Sequence, residues 1–449
     1  MRTNRFSWVI AFILALGILP SFTALSIGFA QTYPSLSHFT GPLNPLKLCS
    51  PLLAFFLWQH RKILWASKLH RILLASLSVG TLATLIAEIP CHFTPNPLRE
   101  WSVILLGFIS AVSFFLLPLR KRQAVLISWA AVIYGSILLD WISPHSIDWL
   151  YAHIFDPDTL SGDFAELGRR VLTGIFGRQS LAKLLAWIPW LLIALGAGGA
   201  LGPVDETGEL GQPIERGQFT RLLPWALAIA STAAILATSQ RGPFVGALAG
   251  WIALGVHQTY HSRSLRSLRN VSLALLAMLS LMWIMVPHDL LETRLKSLVG
   301  MKSQDRYSQT AEGNRDLRLQ MAIFSLKVIA HHPLGHACIS WDEFQAGGLN
   351  YAHHSHNLIL EQFRSRGWFW GFIHFSLWAF AWVFSWRGKS SALFAAITTT
   401  WVLGMADHPW FVLNHSLVLW VILIAGLMAR QKSVKISKPP SETPQPKLS

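Results

Sequence analysis

Apolar runs long enough to cross a lipid bilayer recur along the chain and constrain its fold more than any other feature. A transmembrane helix needs roughly 20 predominantly apolar residues. Charged residues make up only 13% of the chain, whereas soluble domains average about 25%. The runs lie at about 6–30, 46–58, 72–90, 102–118, 124–142, 184–202, 222–238, 243–257, 271–287, 367–386, 391–406 and 415–429. We therefore predict an all-α, polytopic membrane protein with about 12 transmembrane helices.

The positions of Lys and Arg predict how these helices are oriented. Basic residues concentrate in short segments on the cytoplasmic side of a membrane, and an N-terminus in the cytoplasm satisfies this rule for most short loops, except the acidic segment 203–221. Both termini are then cytoplasmic, and the largest hydrophilic block, 288–366, is external. The net charge of +15 therefore reflects membrane orientation, and we expect no nucleic-acid partner. The apolar run after "MRTNR" is too long for a signal peptide and is assigned as the first span.

The remaining segments predict one transmembrane domain, one external loop with helices and one tail. Residues 1–431 form the transmembrane domain, and the Pro-, Ser- and Lys-rich segment 432–449 is predicted to be a disordered cytoplasmic tail. Residues 143–183 contain two amphipathic stretches expected to lie at the interface. Within the long loop, "NRDLRLQMAIFSLKVIAHHP" predicts a helix capped by Asn314 and stopped by Pro333.

The ionisable residues gather at the external ends of the predicted spans. Glu88, Asp140 and Asp407 occupy such ends, where charges are commonly found. Arg241 lies in the short outer turn "TSQRGP", near the headgroup plane. An arginine presents a planar fork of donors that matches phosphate oxygens. Arg241 is therefore a candidate phosphate ligand, with snorkelling to the interface as the alternative.

The histidine-rich stretch "YAHHSHNLILEQFRSRG" allows two chemical interpretations. A metal site is weakly supported, because neither "HHSH" nor "HHPLGH" has the spacing of a zinc-binding helix pair. A general base is the second interpretation, since imidazole titrates near neutral pH. His356 opens the helical stretch, and Asn357 and Glu361 share one helix face four residues apart. The neighbouring imidazoles, without an assigned role, are those of His353 and His354.

Two further patterns are weaker. Asp156 and Asp158 in "FDPD" have the spacing of a metal-diphosphate site in nucleotide-sugar enzymes, but on this topology they face outside, where a polar turn is the better explanation. Cys91 and Cys338 are both assigned outside, where a disulfide is possible. Nothing in the sequence places the two thiols together.

Three segments in the second half resemble the O-antigen ligase and polymerase superfamily. "ATSQRGPFVGALAG" resembles its Ser-Arg-Gly turn. "NRDLRLQMAIFSLKVIAHHPLGHACISWDEF" resembles the long-loop pattern of the family, which is an Arg, an amphipathic helix and then Pro-Leu-Gly. "HSHNLILEQFRSRGWFWG" is similar to its His-Asn signature. Two departures are Pro243 after Ser-Arg-Gly and "RSRG" where Glu-x-Gly is usual; the latter adds positive charge.

The resemblance implies a fold, a reaction and a set of site residues. The fold is that of GT-C-like membrane glycosyltransferases, and the active site is periplasmic, on the bacterial inner membrane. The donor is a glycan on undecaprenyl diphosphate, and the acceptor is a sugar hydroxyl of lipid A–core; no cofactor and no metal are expected. His356 corresponds to the catalytic base, and Arg241 with Arg315 or Arg318 to the diphosphate ligands. Supporting positions are Asn357, His353, His354, Glu361 and Asp407.

Three other functions stay open at this stage. A repeat-unit polymerase uses the same chemistry with another lipid-linked glycan as acceptor. A protein O-oligosaccharyltransferase is less favoured, because the sequence has no large C-terminal external domain. A transporter is also less favoured, since transporters place ionisable residues and broken helices near the membrane midplane.

Overall fold

The structure, a computed structural model, is built from α-helices, and its described part contains no strand. It describes residues 2–20, 44–89, 95–154, 172, 174–176, 178–196, 218–238, 240–285, 306–337, 343, 357–388, 390–406 and 413–429. The predicted tail 432–449 lies outside these residues. Each apolar run predicted as a span overlaps at least one helix.

The helices follow one another with short connections in the described regions. In the first half they are α1 (Arg2–Leu16), α2 (Pro45–Leu48), α3 (Ser50–Gln59), α4 (Arg61–Ala66), α5 (Lys68–Glu88), α6 (Pro95–Leu116), α7 (Leu119–Ile142), α8 (Pro144–His153) and α9 (Arg178–Leu191). In the second half they are α10 (Gln218–Ala237), α11 (Arg241–Ser262), α12 (Leu265–Met285), α13 (Arg306–His331), α14 (Leu358–Arg387), α15 (Ser391–Ala406) and α16 (Leu413–Met428).

Among the residues that the structure describes, three helices are long and apolar enough to cross a membrane. They are α5, α7 and α14, at 21, 24 and 30 residues. Shorter apolar stretches of 10–17 described residues lie in other helices. The predicted span 46–58 divides at Cys49 into α2 and α3. The chain is thus a membrane protein by its apolar helices, and the number of 12 spans stays a prediction.

Two predicted helix boundaries in the external loop have different outcomes. Pro333 follows the end of α13 at His331, as predicted, because a proline disfavours the helical conformation of the residue before it. The N-cap assignment of Asn314 is wrong, since α13 begins eight residues earlier at Arg306. Gln309, Ala311 and Glu312 are good helix formers, and they extend the helix upstream.

Helix α16 lies at the centre of the bundle. Every residue from Leu413 to Leu427 is buried, and α16 packs against α6, α14 and α15. Polar side chains on it bond to backbone carbonyls of other helices: Ser416 Oγ to Val103 O at 3.2 Å and Trp420 Nε1 to Ile104 O at 3.0 Å. Such bonds satisfy carbonyl and indole groups that have no water available.

Helices α11 and α15 pack in close contact through small residues. Gly246 and Gly250 are four residues apart on α11, and Gly246 lies against the carbonyl of Thr399 and against Leu403. Small residues at this spacing let two helix backbones approach closely in membranes. The pairing is antiparallel, because His257 near the end of α11 bonds to Ser391 at the start of α15.

Gly250→Val tests this packing. A side chain there would meet the Thr399 hydroxyl and, at 3.1 Å, the Trp190 indole nitrogen. We expect a loss of about 1–3 kcal/mol from overpacking, measured as a lower thermal unfolding midpoint in detergent. Gly135→Val is the matched control, because a Cβ at Gly135 has no neighbour within 4 Å. Equal midpoints for both variants would contradict the close contact.

Candidate active site

Asn357 fixes the start of α14 to the end of α15. Its Oδ1 accepts hydrogen bonds from the backbone N–H groups of Ile359 and Leu360, both at 3.0 Å, as an N-cap does. Its Nδ2 donates to the carbonyl oxygen of Met405 at 3.4 Å, and Leu358 packs on Gly404. The residue that follows His356 is thereby held against the last turn of α15.

The start of α11 lies at the same end of the bundle. Arg241 is the first residue of α11, and Gln240 is its N-cap position. Since α11 and α15 are antiparallel and Gly246 contacts Leu403, the first turn of α11 lies beside the last turns of α15. Two helix N-termini, those of α11 and α14, are therefore gathered around the C-terminus of α15.

The turn after α13 inserts into a break in α14. Gly367 has φ 77° and ψ 178°, which interrupts the helix. In an unbroken helix the N–H of Trp368 would bond to the carbonyl of Arg364. Instead, Trp368 N–H donates to Pro333 O, and Arg364 O accepts from His336 N–H, both at 2.8 Å. The turn thus supplies both partners that the broken helical bond leaves free.

Two glycines make this insertion possible. Gly335 has φ 97°, and its Cα faces the backbone of Arg366 and Gly367 so closely that a Cβ would meet the Gly367 nitrogen at 2.6 Å. A Cβ on Gly367 would meet Leu334 backbone atoms at 2.5 Å. The combination of φ and ψ at Gly367 is also essentially restricted to glycine. The indole of Trp368 closes the contact by donating to Ile329 O at 3.0 Å.

Glu361 and Arg364 form a buried ion pair beside this turn. The Glu361 side chain is 1% exposed and that of Arg364 is 5% exposed. Arg364 Nε donates to Glu361 Oε2 at 3.2 Å, and its NH2 group contacts the other carboxylate oxygen. Arg364 also donates to the carbonyl of His336 at 3.2 Å. The pair therefore links the first turn of α14 to the turn after α13.

Arg366 ties α14 to α5 and α6. It donates from Nε to Thr84 Oγ1 at 3.1 Å and from NH1 to Gln362 Oε1 at 3.0 Å. Its guanidinium lies 5.1 Å from the ring centroid of Trp101, and its NH2 is 4.0 Å from a carboxylate oxygen of Glu100. Arg366 NH1 also donates to Ser365 Oγ at 3.0 Å. The charge of Arg366 is thus shared among a carboxylate, three hydrogen-bond acceptors and an aromatic face.

Glu88 completes this group of charges at the end of α5. It is fully buried, in the field of Arg366, and its two oxygens have no hydrogen-bond partner among the described residues. Asp140, also near a helix end, is buried and accepts from Gly174 N–H at 2.9 Å. Glu88 and Asp140 lie at or near helix ends, as predicted. That these ends are external stays a prediction. Both side chains lie inside the protein.

The predicted site residues differ in whether the structure describes their side chain, their backbone only, or neither. Asn357 and Glu361 are described with their side chains. For Arg241, Arg315 and Arg318, the helical backbone is described but not the side chain. His353, His354, His356 and Asp407 lie outside the described residues, as do Asp156, Asp158, Cys91 and Cys338. The roles assigned to all of these residues stay predictions.

The imidazoles that are described after α13 stack on each other. The rings of His332 and His336 are 4.5 Å apart, and His336 Nε2 is 3.2 Å from a Glu343 carboxylate oxygen. Desolvation and the neighbouring imidazoles of His336 and His331 lower the pKa of His332, which favours its neutral form at pH 7. Within the described ranges, no three His, Cys, Asp or Glu side chains are grouped to hold a metal.

Residues 226–375 match the O-antigen ligase family model. This match supports the O-antigen ligase superfamily for that segment of the chain. The matched segment runs from α10 into α14 and includes Arg241, α13, the turn at Gly335 and Arg366. A comparison with curated proteins finds no match. The match supports a membrane glycosyltransferase-like enzyme, and the matched family in general implies a lipid-linked glycan and a glycan acceptor as substrates.

Four residues of the buried polar network were not singled out from the sequence as site residues. They are Glu100, Gln362, Arg364 and Arg366. The departure "RSRG" was a signal, because two arginines at the entry to an apolar helix require partners. The extra positive charge expected there is offset locally by Glu361 and Glu100. Nothing in the sequence indicated a role for Gln362, because its hydrogen bonds with Arg366 and Trp370 form only in the folded protein.

Gly367→Ala is expected to disrupt the inserted turn. The backbone conformation costs a non-glycine residue about 1–2 kcal/mol, and overpacking adds about 1–3 kcal/mol. We expect the unfolding midpoint in detergent to fall and glycan transfer to fall with it. Gly135→Ala is the control and should leave both unchanged, because that position is open. A Gly367→Ala variant with normal stability would show that the turn does not occupy the helix break.

A double-mutant cycle measures the buried ion pair. Removing one partner from such a pair leaves a buried charge unpaired and costs about 3–5 kcal/mol. We expect Glu361→Gln and Arg364→Met to be strongly destabilising singly and much less so when combined. Additive effects in thermal unfolding would mean that the two side chains do not interact.

Proposed function

We propose that this protein transfers a glycan from undecaprenyl diphosphate to a sugar hydroxyl of lipid A–core. The reaction takes place at the periplasmic face of the bacterial inner membrane, with both termini of the chain in the cytoplasm. One observation carries the proposal within the matched segment. The first turn of α11, which begins with Arg241, and the Asn357 cap of α14 lie at the same end of the bundle, around the end of α15.

The electrostatics of this end suit a diphosphate. Helix N-termini carry unsatisfied N–H groups and a partial positive charge, which favour phosphate. The α11 N-terminus carries Arg241, whose planar fork matches phosphate oxygens. Arg315 and Arg318 on α13 are the candidates for a second arginine. Since negative charge grows on the diphosphate as it leaves, such donors stabilise the transition state more than the ground state.

His356 is proposed as the general base. It takes the proton from the acceptor hydroxyl as that oxygen bonds to the anomeric carbon and the bond from this carbon to the diphosphate breaks. Undecaprenyl diphosphate leaves with the bonding electrons. The double anchoring of Asn357, to α14 backbone and to Met405 O, supports this role because it restricts where the preceding residue can lie.

The buried charges beneath the first turn of α14 have a positioning role in this scheme. Glu361 and Arg364 link α14 to the turn that ends α13. The helix that bears Arg315 and Arg318 is thereby attached to the helix that follows His356. Holding both substrates between fixed elements lowers the entropic cost of their encounter. No step of this reaction requires a metal.

Alanine variants of Arg241 and His356 test the proposal. We expect each to lower transfer about 10²-fold or more, seen as loss of polymer attached to lipid A–core in gels of the native host. Arg120→Ala and His153→Ala are matched controls, because both side chains are exposed and lie on helices α7 and α8. Arg241→Lys should recover only part of the activity, since it keeps the charge and loses the fork.

The same gels separate the alternatives. Normal attachment of long polymer in His356→Ala and Arg241→Ala would refute the assigned site. Shortened polymer with single repeats still attached to lipid A–core would identify a repeat-unit polymerase instead. In a purified reaction, loss of transfer on chelation and its recovery with a divalent cation would contradict the metal-independent mechanism.

A further inference from the structure

A groove lies at the opposite end of α11 and α14 from the proposed active site. Its volume is about 510 Å³. Its lining residues come from the last turns of the two helices: Tyr260, His261, Trp382, Val383, Trp386 and Arg387. Tyr260 is 19 residues after Arg241 on one helix, which corresponds to roughly 28 Å at 1.5 Å per residue. That span is close to the hydrocarbon thickness of a bilayer, roughly 30 Å.

Two histidines of α11 bond to the backbone of α14 beside this groove. His257 Nε2 and His261 Nε2 lie 3.0 and 2.9 Å from the carbonyl oxygen of Trp386, so both ring nitrogens donate to it. His257 Nδ1 is then the acceptor for the Ser391 hydroxyl at 2.9 Å. A helix C-terminus normally presents free carbonyls that repel anions. Here one of them is occupied by two N–H donors.

Aromatic rings form the walls and remain open to the surroundings. Tyr260 and Trp386 lie 5.1 Å apart with an angle of 37° between their planes. Tyr260 is 65% exposed and Trp382 is 41% exposed. Seven residues before Trp382 on the same face of α14, Phe375 is also exposed, at 42%, so the apolar wall continues from the groove toward the middle of the helix. Exposed Trp and Tyr are typical of the membrane interface.

The charged residues in the two segments that form the groove are all basic. Segments 258–269 and 382–390 contain no Asp or Glu. Their basic residues are Arg263, Arg266, Arg269, Arg387 and Lys389. Arg387 lines the groove itself. An occupant must therefore combine a negative group near Arg387 with an apolar portion that lies along Trp382 and Phe375.

We propose that this groove binds one anionic phospholipid of the surrounding bilayer. The headgroup phosphate lies between Arg387 and the Tyr260 hydroxyl, and one acyl chain lies along the exposed rings of α14. Basic pockets between transmembrane helices bind anionic headgroups in this way. A soluble phosphate would leave the aromatic wall unused, and a zwitterionic lipid would leave the basic charge uncompensated. The inference does not depend on the proposed glycan transfer.

Lipid binding to the purified full-length protein tests this site. The probes are dioleoyl phosphatidylglycerol and dioleoyl phosphatidylcholine, added to delipidated protein in detergent and followed by native mass spectrometry and thermal unfolding. We expect one tightly retained phosphatidylglycerol, bound at least about tenfold more tightly than phosphatidylcholine. Arg387→Gln should weaken it about five- to tenfold, the scale of one basic residue at an anionic surface. Tyr260→Ala should also weaken it.

The control and the contrary outcomes are equally specific. Arg120→Gln removes an exposed arginine from α7, which contributes no residue to the groove, and it should leave the affinity unchanged. Equal binding of the two lipids would overturn the proposal, because the groove would then be an apolar contact alone. If glycerol phosphate raised the unfolding midpoint as much as phosphatidylglycerol does, the proposal would also be overturned, in favour of a soluble anion. Equal losses in Arg387→Gln and Arg120→Gln would show that only overall charge matters.

Discussion

The break in α14 at Gly367 is the constraint on which the arrangement of the proposed active site depends. An interrupted helix in apolar surroundings exposes a carbonyl and an N–H that no water or lipid can satisfy. The turn after α13 satisfies both, through Arg364 O to His336 N–H and Trp368 N–H to Pro333 O. The backbone of the external loop is thereby fixed to a membrane helix by main-chain hydrogen bonds. Side-chain variation cannot remove such bonds, so the contact requires only that Gly335 and Gly367 remain glycines.

The buried charges follow from the same break. With α14 interrupted, its first segment carries Glu361, Arg364 and Arg366 into the protein, where an unpaired charge is costly. Each arginine has a carboxylate within reach, and Arg366 also has Thr84 and Gln362. Glu88, near Arg366, has no hydrogen-bond partner in the described part of the chain. The network therefore holds α5, α6 and α14 in one arrangement.

The sequence predicted the elements better than the contacts between them. Hydrophobic runs located the helices, Pro333 located the end of α13, and Glu88 and Asp140 were correctly assigned to helix ends. These properties depend on residues close together in the chain. The pairing of Arg366 with Thr84 joins residues 282 positions apart, and no periodicity encodes it. Asn314 was misjudged for a local reason, because a good cap residue can also lie inside a helix whose upstream neighbours favour helix.

The candidate phosphate ligand and the candidate base could be predicted from the sequence because of their residue types and positions. An Arg in a short turn and a His before an Asn are unusual where apolar helices meet water, so their chemical types alone suggested phosphate binding and proton transfer. The structure adds their relative position, because Asn357 and the first turn of α11 both lie beside the end of α15.

Helix α14 joins the two ends of the molecule. At one end its break receives the turn from α13, and at the other the carbonyl of Trp386 accepts hydrogen bonds from His257 and His261 of α11. Because α11 begins at Arg241 and ends beside Trp386, the same two helices border both the proposed active site and the lipid groove. Because α14 is interrupted at Gly367, its first segment need not share the axis direction of its second segment. The histidine contacts fix the second segment to α11. The position of the first turn of α14 is therefore set by the turn at Gly335 and by the Asn357 cap, and not by the length of the helix that follows.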